Sequence, residues 1–324
     1  MLFNLLVNSR QLRRHDQWTR PQLEDFQAHA FRKLRDYAFA HSPFYQKFHA
    51  GMQNRPLGEL PVLTKTMFME HFDDLVTERA VRLSDVRAHL RESPDTPYLN
   101  RYWVTATSGS SGNPGLFLFN KREWGVVLAS FARGYEWAGM HVDLTHHRKM
   151  AVVASDTPWH MSHLVGKTLR SAWATTLRLP ASEPIQTIVR QLDEWKPDIL
   201  IAYATMARML AIEQLEGRLH IQPKRMLASS EVLTGESRRL IETAWGKILF
   251  NQYAATETAG IAAECEQHKG MHLYQDLVIV ENVNQHDEPV PPGAYGDKLL
   301  VTVLFNYTQP LIRYELNDSV RFSE

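Results

Sequence analysis

Between residues 149 and 253, short apolar runs alternate with segments whose apolar residues recur at helical spacing. The runs 149–154 (KMAVVA), 198–203 (DILIAY), 225–228 and 247–253 (KILFNQY) have the length and composition of buried strands. The intervening stretches 163–173, 184–195, 205–216 and 235–245 are predicted helices. Lys196-Pro197 stops the second, and Gly217 closes the third. This order predicts an α/β fold with a large, mostly parallel sheet flanked by helices and with ligands at the carboxyl ends of its strands. Upstream, Leu23, Phe26, Ala30, Leu34 and Tyr37 predict a helix over 17–40, ended by His41-Ser42-Pro43. Residues 101–119 read as strand, polar loop, strand, and 122–139 as a helix ending at Gly139. After residue 270 the pattern changes. Strands are predicted over 274–283, 298–305 and 311–322, separated by turns such as Pro291-Pro292-Gly293. The expected division is a core over 1–270, with an N-terminal helical segment, and a smaller antiparallel β subdomain over 271–324.

Composition narrows the function classes. The chain has 324 residues, of which 44% are hydrophobic and 22% charged, as in soluble globular proteins. Lys plus Arg equals Asp plus Glu at 36 each, which gives no support to a nucleic-acid surface. The apolar stretch 1–7 is too short to span a membrane or to act as a signal sequence. With Cys265 as the sole cysteine, no intrachain disulfide can form, and a cytoplasmic location is the default expectation.

Four polar loops stand out. Residues 107–114 read T-S-G-S-S-G-N-P between two β-rich flanks. A hairpin turn would use these residue types. So would an anion cradle, where glycines let N–H groups approach a phosphate and hydroxyls add donors. No Lys follows Gly112 or Gly115, which excludes a Walker A loop, and the strand-like segment after Gly115 excludes a dinucleotide fingerprint. The second loop, Tyr253-Ala254-Ala255-Thr256-Glu257, follows a strand. Its Thr can donate to phosphate and its Glu can hold Mg²⁺, or Thr256 can cap a following helix. Asp318, in R-Y-E-L-N-D, is a ribose acceptor or a turn Asp. Ser229-Ser230-Glu231 taken alone is a helix-entry loop.

The ordered set resembles the adenylate-forming superfamily of acyl-CoA ligases, and most of all phenylacetate–CoA ligase-like enzymes. The runs RRHDQW, A-H-S-P-F-Y, L-P-V-L-T-K and G-A-Y-G-D-K-L-L-V-T strengthen the resemblance, which covers nearly the whole chain. It implies that Ser108, Gly109, Ser110, Ser111 and Gly112 lie over the β- and γ-phosphates of ATP. It implies that Ser229, Ser230 and Glu231 line the adenine site and that Tyr253 packs on the base. Thr256 would contact the α-phosphate, Glu257 would ligate Mg²⁺ and Asp318 would take the ribose hydroxyls. The implied reaction activates a small carboxylic acid as an acyl adenylate and transfers it to a thiol, that of CoA or of a carrier protein. A nucleotide-binding protein of the same fold without turnover is the alternative. The acid pocket would be lined by the helix after the glycine loop and the segments beyond it: Tyr135, Trp137, Gly139, Trp159, Tyr203 and Ala204. Three departures stand out. Ala254 and Asn317 replace usual glycines, and Gly115 replaces a usual lysine. The family's hinge and lid, with a catalytic Lys, would lie beyond Glu324, so weak activity of this chain alone is expected. Cys265, His268 and His272 have spacing that could supply three Zn²⁺ ligands, or they are unrelated surface residues.

Overall fold

A computed structural model describes residues 2–108, 114–140, 147–169 and 174–323. Chain contacts group Met1–Val126 with Tyr274–Glu324 in one compact unit, and Val127–Leu273 in another. The N-terminal third therefore goes with the C-terminal strands, a division that differs from the expected 1–270 and 271–324.

The first unit opens with helices α1 (Leu2–His15), α2 (Arg20–His41), α3 (Pro43–Phe48), α4 (Lys65–Glu70), α5 (Phe72–Leu75) and α6 (Leu83–Glu92). Thr19 begins α2 with a capping box to Gln22 and Pro at the first turn. Strands β1 (Tyr102–Ala106) and β2 (Leu116–Asn120) pair antiparallel and lead into α7 (Lys121–Trp137), inside which the boundary between the units falls. The N-terminal segment is tied to the C-terminal strands by backbone pairing. Leu63 donates its N–H to the Arg313 carbonyl and accepts from the Glu315 N–H, both at 3.0 Å. The Tyr45 hydroxyl, fully buried, donates to the Pro310 carbonyl at 2.9 Å. These links are long-range in sequence, so the periodic pattern does not reveal them.

The second unit is built on a sheet of seven strands: β3 (Arg148–Ala154), β4 (Ala174–Pro180), β5 (Ile199–Tyr203), β6 (Arg225–Ser229), β7 (Leu249–Ala255), β8 (Ala259–Glu264) and β9 (Met271–Leu273). Their spatial order is β4-β3-β5-β6-β7-β8-β9. The strands from β4 to β7 are parallel; β8 and β9 extend the sheet antiparallel. Helices α8 (Met161–Thr168), α9 (Ile185–Trp195), α10 (Ala204–Leu215) and α11 (Gly235–Trp245) connect the strands. One face buries Leu200, Ala202, Met226 and Ala228 under α9, α10 and α11. The other buries Ile199, Ile201, Leu227 and Phe250 under Ala138 and Tyr135. Cover on both faces explains why these strands read as near-continuous apolar runs. Strand order reverses between β3 and β5, the kind of switch point where open α/β sheets bind ligands.

Beyond residue 274 the chain forms β10 (Val278–Val283), β11 (Lys298–Val303) and β12 (Tyr314–Leu316), a three-stranded antiparallel sheet. No helix among the described residues is long and apolar enough to cross a membrane.

Candidate functional site

In the second unit, most of the expected site residues lie at the carboxyl ends of parallel strands. Ser229 is the last residue of β6, and Ser230 takes a left-handed φ of 68° as the chain turns away. Glu231 accepts from the Thr205 N–H at 2.7 Å and from its hydroxyl at 2.6 Å, so its carboxylate caps the first turn of α10. Tyr253 precedes a register shift in β7. Thr256 and Glu257 sit in the turn between β7 and β8. The helix-cap alternative for Thr256 is thereby overturned, because the chain returns as an antiparallel strand and not as a helix. Glu257 is 8% exposed, and the next two residues are fully buried.

The switch point carries a polar network that the sequence did not disclose. Tyr203, last in β5, receives the Ser155 N–H from beyond the end of β3 at 2.9 Å, and the Ser162 hydroxyl lies 3.3 Å away. Ser155 Oγ accepts from the Thr157 N–H at 3.1 Å and lies 2.9 Å from His160 Nδ1. Burial, helped by the charge of His163, lowers the His160 pKa, which favours its neutral form. Trp159 is half-buried in the same segment, and Ala204 begins α10 and is buried.

Other expected pocket residues are elsewhere. Tyr135 packs on the apolar cluster of the sheet face, where burial pushes its phenol up to about 12. Trp137 meets the His272 ring edge-on, centroids 5.6 Å apart, and the Arg133 guanidinium lies 5.0 Å from its ring centroid. Gly139 is at the opposite end of the sheet. Its φ is +72°, and a Cβ there would lie 2.6 Å from a Glu266 carboxylate oxygen and 3.2 Å from the guanidinium of Arg225, which begins β6. Gly139 is thus a packing glycine at the amino ends of the strands, not a pocket wall.

The zinc expectation meets a similar correction. The turn from β8 to β9 brings His272 Nε2 within 3.2 Å of Cys265 Sγ, but the His268 ring packs on Phe250. Among the described residues no three His, Cys, Asp or Glu side chains gather in a way that could hold a metal ion.

In the first unit, Ser108 is exposed at the end of β1; Gly109, Ser110, Ser111 and Gly112 lie outside the described residues. The foot of the loop is closed. Thr107 N–H donates to the Gly115 carbonyl at 3.0 Å, and Gly115 N–H returns to Thr107 Oγ1 at 2.9 Å. Lys65 Nζ lies 3.5 Å from the same hydroxyl, bringing a cation to the loop where the residue after Pro114 is Gly. Only its place in L-P-V-L-T-K hinted at it. Asp318 is exposed two residues past β12. Arg313 of the same motif is buried instead, with Nε 3.1 Å from Glu281 Oε2.

No protein-family profile matches the chain. It is 23% identical over 320 residues to phenylacetate–coenzyme A ligase of Thermus thermophilus, covering 92% of this chain and 65% of the relative. It is 21% identical over 272 residues to protein CapK of Staphylococcus aureus, covering 82% and 54%. Two of the relatives it matches are named phenylacetate–coenzyme A ligases. Among solved structures, 2-hydroxyisobutyryl-CoA ligase in complex with 2-HIB-AMP and CoA superposes with a TM-score of 0.71 at 21% identity, over 95% of this chain and 65% of that one. The fold is therefore that of an acyl-CoA ligase. The chain spans between about half and two thirds of the length of these proteins.

Proposed function

We propose that this chain activates a small carboxylic acid with ATP and passes the acyl group to the thiol of CoA. The observation that carries the reading is the Thr256–Glu257 turn. It puts a hydroxyl beside a buried carboxylate at the carboxyl end of a central strand, in a chain whose relatives include named phenylacetate–CoA ligases. In the first step an oxygen of the acid attacks the α-phosphorus of ATP in line, and the bond to pyrophosphate breaks. In the second, the thiolate of CoA attacks the acyl carbonyl and AMP leaves.

Positioning and charge stabilisation do most of this work. The loop 108–112 would cradle the β- and γ-phosphates, with the Lys65 ammonium at its foot. Ser229 and Ser230 would line the adenine site, with Tyr253 packed on the base, and Asp318 would accept from the ribose hydroxyls. Thr256 would donate to the α-phosphate. The oxygen donors of Glu257 and Thr256 suit a hard cation, and Mg²⁺ held there would draw charge off the phosphates during attack. The switch-point network of Tyr203, Ser155 and His160 would lie beside the entering acid.

The test is ATP–pyrophosphate exchange across a panel of acids. Exchange with at least one acid, followed by CoA-dependent AMP release, is expected. Tight ATP binding without exchange for any acid would favour a nucleotide-binding protein without turnover. Lys65→Ala should raise the KM for ATP about 10-fold or more, the effect of losing one charge-assisted contact. An unchanged KM would remove Lys65 from the phosphate site.

A further inference from the structure

Gln252, in the run Asn251-Gln252-Tyr253, is 2% exposed, yet neither its amide nitrogen nor its amide oxygen has a hydrogen-bond partner. Buried amides are nearly always paired, so one that is not asks for an explanation. Gln252 pairs in register with Ser229 on β6 and with Ala263 on β8. By strand alternation it shares the sheet face of Phe250, two residues earlier and nearer the amino end. Along that face, apolar side chains from Ile199, Ile201, Leu227 and Phe250 give way at the carboxyl edge to Ser229 and Gln252. Gln252 is also one residue from Tyr253 and four from Thr256. An unmet donor and an unmet acceptor thus sit at the ligand end of the sheet, at the boundary of an apolar surface.

We infer that the unpartnered Gln252 amide is a specificity determinant that reads a neutral hydroxyl on the acid substrate. The inference rests on the ligase reading above and adds the class of acid. A hydroxyl both donates and accepts, so one group can satisfy both ends of the amide. A carboxamide is neutral too and is the second group with this chemistry. An acid with only hydrocarbon at this point would leave the amide unpaired in the complex. A site built to hydrogen-bond a substrate hydroxyl discriminates strongly against the analogue lacking it, whereas an apolar pocket rejects an added hydroxyl only weakly. The class is therefore hydroxy acids.

The experiment is pyrophosphate exchange with matched pairs: phenylacetate against its ring-hydroxylated forms, and butyrate against 2- and 3-hydroxybutyrate. The parent should prefer at least one hydroxylated member by about 100-fold or more in kcat/KM. Gln252→Leu should cut that ratio at least tenfold by losing the hydroxy acid, while the plain acid holds or gains. The same substitution removes the orphaned amide, so the Tm should rise by roughly 2–4 °C. Gln252→Met repeats both arms with a less branched side chain, should the Leu variant pack badly. Hydroxylated and plain acids exchanging equally well would overturn the inference and leave the ligase reading standing. So would a ratio unmoved by either variant, or a Tm that falls in both, which would mean the amide is already partnered. A parent that exchanges with no acid would overturn both readings at once.

Discussion

The two ends of the seven-stranded sheet carry similar residue types and use them differently. At the amino ends several polar groups are committed to one another. Arg225 Nε donates to the Ala138 carbonyl at 3.1 Å, and its Nη2 lies 3.4 Å from Glu266. Asp198 accepts from the Lys149 N–H at 3.0 Å and pairs with Lys224 at 3.2 Å. Cys265 and His272 face each other at 3.2 Å. At the carboxyl ends, Gln252 keeps both amide atoms unmatched and Ser230 holds a left-handed backbone. The carboxylate of Glu257 lies inside a strand-to-strand turn. Polar residues satisfied by the fold need no ligand to explain them; buried ones that remain unsatisfied do. By that criterion Gln252 marks the carboxyl end; at the amino end the buried Nδ1 of His268 is also without a hydrogen-bond partner, 3.9 Å from Glu264, and the Cys-His cluster that reads as a metal site in the sequence lies there.

The comparison breaks first at Glu257. Glu257→Gln should lower pyrophosphate exchange by about 10²–10³, the range for losing one preorganised electrostatic contact. It should also flatten the dependence of ATP binding on Mg²⁺ in calorimetry. Parent-like exchange would move the catalytic charge away from the carboxyl end. Glu231 sharpens the picture, because it lies at the carboxyl end but is already employed as a cap. Glu231→Ala should cost about 1 kcal/mol of stability by denaturant titration, typical of a lost helix cap, and leave ATP affinity within about twofold. A large loss of ATP affinity would make the carboxylate a nucleotide ligand as well.

Acid should separate the two ends. The folded pKa of His160 lies below its ordinary value, so the unfolded chain takes up its proton first. Stability from this group is complete above the unfolded pKa near 6.5 and falls as pH drops through and below it. Burial works to raise the Asp198 carboxyl, but the Lys149 N–H and the Lys224 ammonium outweigh it and hold the carboxyl below its usual range. Its contribution persists until pH falls under about 4. Amide protection factors, corrected for the intrinsic pH dependence of exchange, should therefore fall around Ser155–His160 between pH 7 and 5, before they do around Asp198. The smallest effect is expected at the thiol. Cys265→Ser and His272→Ala should leave exchange within about twofold and bind no stoichiometric zinc, by assay and elemental analysis. A tenfold loss in either would show that the amino end takes part.

Much of this arrangement was legible because doubly covered strands write themselves as apolar runs. The runs at 149–154, 198–203, 225–228 and 247–253 are all parallel strands of the sheet. Strand β4 escaped because ATTLRLP interleaves threonine and arginine at an edge, and β8 because AGIAAE lacks the bulky β-formers that mark a strand. The missing β8 is why Thr256 read as a helix cap. Gly139 was misplaced for a different reason. Periodicity identifies a helix but not the end of the sheet to which it delivers its last residue, and here the Arg225 guanidinium receives the Ala138 carbonyl. Gln252 drew no notice because its significance is a missing partner, which depends on what the fold brings near it. Lys65 is a long-range neighbour of Thr107 that no local pattern encodes.

The return of β8 along β7 has one further consequence. Ala259, Ile261, Ala262 and Ala263 are at most 2% exposed, and the Gly260 N–H is held by the Ser130 hydroxyl at 3.2 Å. The three residues between the strands, Thr256 to Thr258, are thus stapled on both flanks by main-chain ladders. A ligand arriving there meets a backbone whose conformational entropy was surrendered during folding, so almost none of its binding free energy is spent on ordering the loop. Such a turn should also exchange its amides on the timescale of global unfolding, not of loop breathing. It would be among the worst places in the chain to insert a residue, and among the best to graft a fixed carboxylate.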